Sequence, residues 1–179
     1  TWEAEPDEAT AVFADEEASE RLFARLTAER VREWVALAEE RLPDGVPAFI
    51  IPGNDDAAEV DEALEQGTRL RNAEQRLVWL AEGIPMISYG DSTPTPWNSP
   101  REVSEEAYAA RLEELVAALS DPQKAVFNLH VPPYDSQLDG APALDADLRV
   151  RQSRAGEVMM APVGSTSVRT AIERHGPVL

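Results

Sequence analysis

The sequence contains no cysteine, so it has neither a disulfide framework nor a thiolate metal site, and any redox compartment suits it. Lysine is almost missing too. Of 16 basic side chains, Lys124 is the single lysine and the others are arginine. Against them stand 34 acidic residues, giving a formal net charge of −18. No basic stripe interrupts this excess, and such a field repels a nucleic-acid backbone unless a cation stands between them. No apolar run approaches the length of a membrane span. No basic start followed by an apolar segment resembles a secretory leader. The expectation is a cytoplasmic protein with neither a membrane nor a nucleic acid as partner. The acid excess fits a salt-rich cytoplasm and simple solubility equally well.

What is present argues for a folded chain. Apolar residues make up 43% of 179, enough for one domain with a real core and tight for two. The chain opens on Thr1 rather than Met and closes on "GPVL", which reads as the start of a strand. The expectation is a single domain over 1–179, incomplete at both ends.

Periodicity supplies the elements. Phe23, Leu26, Arg30, Trp34, Leu37 and Arg41 recur at three- and four-residue steps, with Leu22, Val31, Val35 and Leu42 widening the stripe. This predicts a helix over 15–42, or two helices broken near Ser19, stopped by Pro43, Asp44 and Gly45. Residues 46–51 read as a short strand covered on both faces. A helix follows, with Asp56 as its cap, Glu59 closing a capping box, Val60 and Leu64 on one face and Gly67 at its end. Two strands, 77–80 and 84–89, precede a proline-punctuated loop, 90–100, in which Trp97 is expected to pack on the body. Ser104 caps the next helix, Val103 staples to Tyr108, and Leu112, Leu115 and Leu119 complete its buried face. Strands over 125–129 and 157–163 follow, and then a helix carrying Val168 and Ile172. The order is that of an α/β protein with mixed connections.

Two strands end alike. One delivers Asn54, Asp55 and Asp56; the other delivers His130. Open α/β sheets place ligands where apolar strands present polar groups at their C-terminal ends. An imidazole, an Asn carbonyl and carboxylates suit borderline or hard divalent cations. The same residues have ordinary structural uses. Asn-Asp after Pro-Gly is turn chemistry, and a lone histidine is often a hydrogen-bonded core residue. The pattern alone leaves both readings open. His175, near a helix C-terminus, is read as structural. Asp135 and Asp139 are expected to face solvent, and Asp91 likewise. "GSTS" at Gly164 lacks the spacing and the Lys of a P-loop, which favours capping.

Three stretches taken together resemble the calcineurin-like metallophosphoesterases: "PGNDD" (52–56), "NLHVPPYDSQLD" (128–139) and "VGSTSVRTAIERHGPVL" (163–179). The loop "PTPWNSPRE" (94–102) is similar to one bacterial and archaeal branch of that family. The resemblance implies an α/β fold of two facing β-sheets flanked by helices, with a two-metal centre at the strand ends. Asn54 and His130 resemble two of its metal ligands. Asp55 stands where many members have a catalytic His, and Asp56 resembles the acid that orients it. The family's early Asp-x-His and Gly-Asp blocks and its final Gly-His-x-His block do not occur here. Two divalent ions (Mn, Fe or Zn) are the implied cofactors, and a small phosphoester is the implied substrate. The implied reaction is hydrolysis of a phosphomonoester or phosphodiester by a two-metal-activated water, with a catalytically inactive binding domain as the alternative. Loop 90–100 and the stretch 134–154 are placed at the pocket rim. Arg149, Arg151 and Arg154 are read there as phosphate contacts or surface ion pairs. The metal reading requires Asn54 and His130 to converge.

Overall fold

The computed structural model describes residues 15–179. A single unbroken helix, α1, runs over Glu16–Arg41. It starts at Asp15, whose carboxylate accepts the Glu17 N–H at 3.1 Å, the usual satisfaction of an orphan helix donor. Strand β1 (Ala48–Ile50) follows, then helix α2 (Glu59–Leu64) and strand β2 (Leu70–Asn72). Strand β3 (Leu77–Ala81) and strand β4 (Ile84–Tyr89) form an antiparallel hairpin. Helix α3 (Glu105–Ala117), strand β5 (Val126–Leu129), strands β6 (Gly140–Pro142) and β7 (Met160–Pro162) and helix α4 (Thr166–His175) complete the order.

The strands form three ladders: parallel β1–β2, mixed β3–β4–β5 with β4 and β5 parallel, and antiparallel β6–β7. The fold is therefore mixed α/β. Two strands were not legible beforehand. The segment "LRN" of β2 carries an exposed arginine, and β6 is a three-residue piece of the stretch read as loop. β1 is half-buried along its length rather than enclosed.

Among the described residues, two apolar clusters hold these parts. The larger packs α3, α4, β4 and the flanks of β5 around Ile87, Tyr108, Leu112 and Val168, and Val103 packs against it as the staple requires. Glu105, in the first turn of α3, clamps α4. Its Oε1 accepts from Ser165 Oγ at 2.6 Å, Ser167 N at 2.6 Å and Thr166 Oγ1 at 3.0 Å. Burial opposes its charge, but these bonds outweigh it and hold the carboxyl below its ordinary range.

The smaller cluster joins Ala28, Val31 and Val35 of α1 to Val60, Ala63 and Leu64 of α2. The buried stripe of α1 is thus narrower than its spacing suggested. Phe23, Trp34 and Leu37 lie on exposed surface, Trp34 at 55%. Glu39 ties α1 to the approach of β2, accepting from Thr68 N and Arg69 N at 2.7 and 2.6 Å. Trp97 packs on nothing that buries it; it is 68% exposed. No helix among the described residues is long and apolar enough to cross a membrane.

Leu112 is fully enclosed in the larger cluster. Leu112→Ala should cost about 2–5 kcal/mol through lost transfer energy and the cavity left behind. It should appear in urea unfolding as a lower midpoint at unchanged slope.

Candidate metal centre

The C-terminal ends of β1, β4 and β5 meet. Beyond β1 the chain turns at Pro52 and Gly53 and presents Asn54. Beyond β5 it presents His130, whose N–H is tied to the Tyr89 carbonyl of β4 at 3.0 Å. Asn54 Oδ1 and His130 Nε2 lie 2.9 Å apart. The pair forms a hydrogen bond in which Nε2–H donates to the amide oxygen. His130 is exposed and reachable from solvent, and among the described residues its Nδ1 has no hydrogen-bond partner.

Two glycines make this meeting possible. A Cβ on Gly53 would stand 2.9 Å from His130 Cε1, so only a bare backbone lets the ring lie across the turn. A Cβ on Gly90, at the end of β4, would collide with the Pro52 carbonyl and stand 2.6 Å from Glu74 Oε2. These close approaches join the β1 end to the β4 end, although no ladder connects the two strands.

The Asn54 amide and the two carboxyl groups of the turn make further hydrogen bonds. Both hydrogens of the Asn54 amide have acceptors: Asp55 Oδ1 at 3.0 Å and Ser99 Oγ at 3.1 Å. Ser99 Oγ in turn donates to Asp55 Oδ1 at 2.6 Å. Asp56 does not cap α2. That helix starts at Glu59, with Ala58 in the cap position and no side-chain cap, so the capping box with Glu59 is absent. Asp56 Oδ2 accepts the Gly53 N–H at 2.7 Å instead. The reason is local: the tight Pro-Gly-Asn turn exposes a backbone donor closer to Asp56 than the helix start, and the carboxylate satisfies that one.

Loop 90–102 clamps the turn from the other side. Arg101, with a side chain only 13% exposed, donates from Nε to the Asp56 carbonyl at 2.6 Å and from Nη2 to the Ala57 carbonyl at 3.2 Å. It also pairs with Asp61 at 2.7 Å, and its backbone N–H donates to the Asn54 carbonyl at 3.1 Å. Glu102 braces the loop from within, accepting the N–H groups of Thr95 and Ser99 at 2.9 Å each. Ser99 and Arg101 carried no individual signal in the sequence, where they stand as ordinary residues of "NSPRE".

Asp139 does not face solvent; it is 4% exposed and accepts the N–H groups of Asp135, Ser136 and Gly164. It thereby pins the stretch after His130 to the start of α4. A loop rich in Pro and Gly leaves many N–H groups without ladder partners, and a carboxylate inside it collects them. Ser165 of "GSTS" caps α4, its Oγ accepting from Val168 N at 3.1 Å. His175 packs beside Glu113, with Nε2 3.2 Å from Oε1. Arg149 pairs with Asp147 at 3.5 Å on the surface, and Arg151 and Arg154 are exposed. Among the described residues, no three His, Cys, Asp or Glu side chains come together in a metal-binding group.

No family model matches the chain. It is 32% identical over 133 residues to the uncharacterized protein MJ1162 of Methanocaldococcus jannaschii, covering 74% of this chain and 51% of that protein. The chain therefore spans about half the length of this curated relative. Among solved structures, TT1561 of Thermus thermophilus superposes with a TM-score of 0.56 at 17% identity, over 84% of this chain and 60% of that one. A second structure gives 0.55 at 16% identity, over 96% and 64%. At these identities the likeness is one of fold: a mixed α/β architecture shared with both.

Glu74 lies at the same strand ends and was not singled out in the sequence. Its Oε2 accepts the Gly90 N–H at 2.8 Å, while Oε1 is buried without a partner. Burial, with Asp91 nearby, pushes its carboxyl up to about 7, against the pull of the Gly90 N–H, Arg101 and Gln75. In the unfolded chain the group titrates near its ordinary 4.5. Between these values the folded chain holds a proton that the unfolded chain releases. Stability from this group therefore falls as pH rises through that window and levels off above it. Partial exposure limits the loss to about 1–2 kcal/mol. Glu74→Gln keeps an acceptor for Gly90 and removes the titration. Relative to the unaltered chain it should gain stability between pH 4.5 and pH 8, as read by urea unfolding at each pH.

Proposed function

We propose that this chain forms part of a calcineurin-like metallophosphoesterase, a metal-dependent hydrolase of phosphomonoesters or phosphodiesters. The observation that carries the reading is the 2.9 Å between Asn54 Oδ1 and His130 Nε2, two donors supplied by separate strand ends. Donors each about 2.0–2.2 Å from one cation and at right angles to each other stand about 3 Å apart. The spacing therefore fits a shared divalent ion as well as it fits a hydrogen bond. The donor chemistry fits as well: a neutral carbonyl oxygen and an imidazole nitrogen, both of which Mn, Fe and Zn accept.

In this reading Asn54 and His130 hold one edge of the centre. The matching family blocks Asp-x-His, Gly-Asp and Gly-His-x-His would supply the other donors of a two-ion site. Bound divalent ions would supply Lewis-acid stabilisation of the phosphoryl oxygens and activation of water. The chain's own groups do the rest. Gly53 lets the His130 ring approach the turn. Asp56 holds that turn closed through the Gly53 N–H. Asp55, exposed beside Asn54, takes the place of the family's catalytic His, and Asp56 that of the acid that orients it. In a chain of net charge −18 an anionic substrate needs cations at the strand ends to reverse the local field.

The test is Mn(II) binding by calorimetry together with hydrolysis of bis(p-nitrophenyl) phosphate and p-nitrophenyl phosphate. A polypeptide that carries this chain together with those further blocks should bind Mn(II) and turn over only when metal is present. His130→Ala should lose metal and most activity while unfolding at a similar temperature, because the ring is exposed. Full-rate hydrolysis by His130→Ala without metal would overturn the assignment. Metal binding with no turnover of any phosphoester would leave a binding domain instead.

A further inference from the structure

We propose that the cleft between the two ladders, at Arg71 and Trp79, is a binding site for a small aromatic carboxylate. The cleft shares no residue with the Asn54–His130 centre, and the proposal does not rest on the phosphoesterase reading. Strand alternation creates it. In the β1–β2 ladder Ile50 and Leu70 pack against the smaller apolar cluster. Phe49 and Arg71 stand opposite each other in register, one step along, and so point to the other face. Between that face and β3 lies a cavity of about 380 Å³, lined by Phe49, Leu64, Arg71, Val78 and Trp79 among others. This is the size of a small-molecule pocket.

The polar groups on its wall are unevenly matched. Arg69 and Arg76, on either side of Arg71 in sequence, are neutralised by Asp44 and Glu65, each at 2.6 Å. Arg71 has no acidic partner among the described residues. Its Nε donates to the Thr68 carbonyl at 3.0 Å, which anchors the guanidinium and leaves both Nη groups without a protein acceptor among those residues. Trp79 is 57% exposed, and its indole N–H is likewise without an acceptor there. Glu65, the one acid on the wall, is engaged by Arg76 and by Asn72 Nδ2 at 3.0 Å. This chain carries more than twice as many acids as bases, yet none of the described ones reaches Arg71.

The cleft therefore offers a cation and N–H donors beside aromatic and aliphatic walls. A neutral apolar ligand would leave the donors unpaired, and a cation would be repelled. A planar carboxylate matches the guanidinium fork with two parallel hydrogen bonds. A ring carried behind it can lie on Phe49 and Trp79. The net charge of −18 penalises every further negative charge on a ligand, which favours one carboxylate over the phosphate of a nucleotide.

The probe is 2-naphthoate, titrated into a polypeptide that carries this chain and followed through the Trp79 indole N–H by ¹⁵N NMR. That signal should move saturably. Arg71→Leu should weaken binding about 10- to 100-fold, the effect of losing hydrogen bonds to a charged group. Arg71→Lys, which keeps the charge but not the fork, should fall between the two. The neutral isostere 2-naphthamide should bind the unaltered protein about 10-fold more weakly or worse. Arg71 is exposed, so both variants should keep the urea midpoint of the unaltered protein, which separates a lost contact from a lost fold. A Trp79 signal indifferent to 2-naphthoate, or equal affinity in Arg71→Leu, would overturn the proposal. Tighter binding of AMP than of 2-naphthoate at the same signal would overturn the carboxylate and make the ligand a nucleotide.

Discussion

The guanidinium of Arg101 is the interaction on which the candidate centre depends. Asn54 belongs to the ladder of β1 and β2, and His130 to the ladder of β3, β4 and β5. Each ladder has its own apolar cluster, and no strand pairing joins them. Their alignment at the strand ends comes from polar and steric links: Arg101 reaching into the Asp56 and Ala57 carbonyls, and Gly90 lying against Pro52. A donor with several hydrogens in a fixed planar fork suits this work, because one side chain can hold several carbonyls and a carboxylate at once. Lysine could supply the charge but not the fork.

Much of the architecture was legible in the sequence because it rests on local rules. Ser104 and the "GSTS" turn each precede a helical run, and Ser104 and Ser165 each cap one. The apolar spacing of α3 gave its buried face correctly, since that helix packs within one cluster. α1 was harder. It is apolar on more than one side, and spacing cannot say which side the rest of the chain will cover. β2 was illegible because three residues paired to one neighbour need no alternation of their own.

The centre was legible only in part, for a related reason. Asn54 and His130 stood out because strand ends are informative places and their side chains have metal chemistry. A carboxylate three residues before Glu59 matches a capping pattern, so the sequence points Asp56 to α2. The competing donor, Gly53 N–H, is visible only once the turn has a shape. Ser99, Arg101 and Glu74 act across tens of residues, through hydroxyl, guanidinium and carboxyl groups that are unremarkable where they stand in the chain. Nothing local distinguishes them from the many other charged and hydroxyl residues of this sequence.

A centre whose two donors ride on separately packed ladders reports the relative position of those ladders. A small slide of one against the other would part Asn54 from His130 while leaving both apolar clusters intact. In rising denaturant the metal-binding geometry would then disappear ahead of the helices and the core, and the centre would be the first part of the molecule to stop working and the last to reassemble.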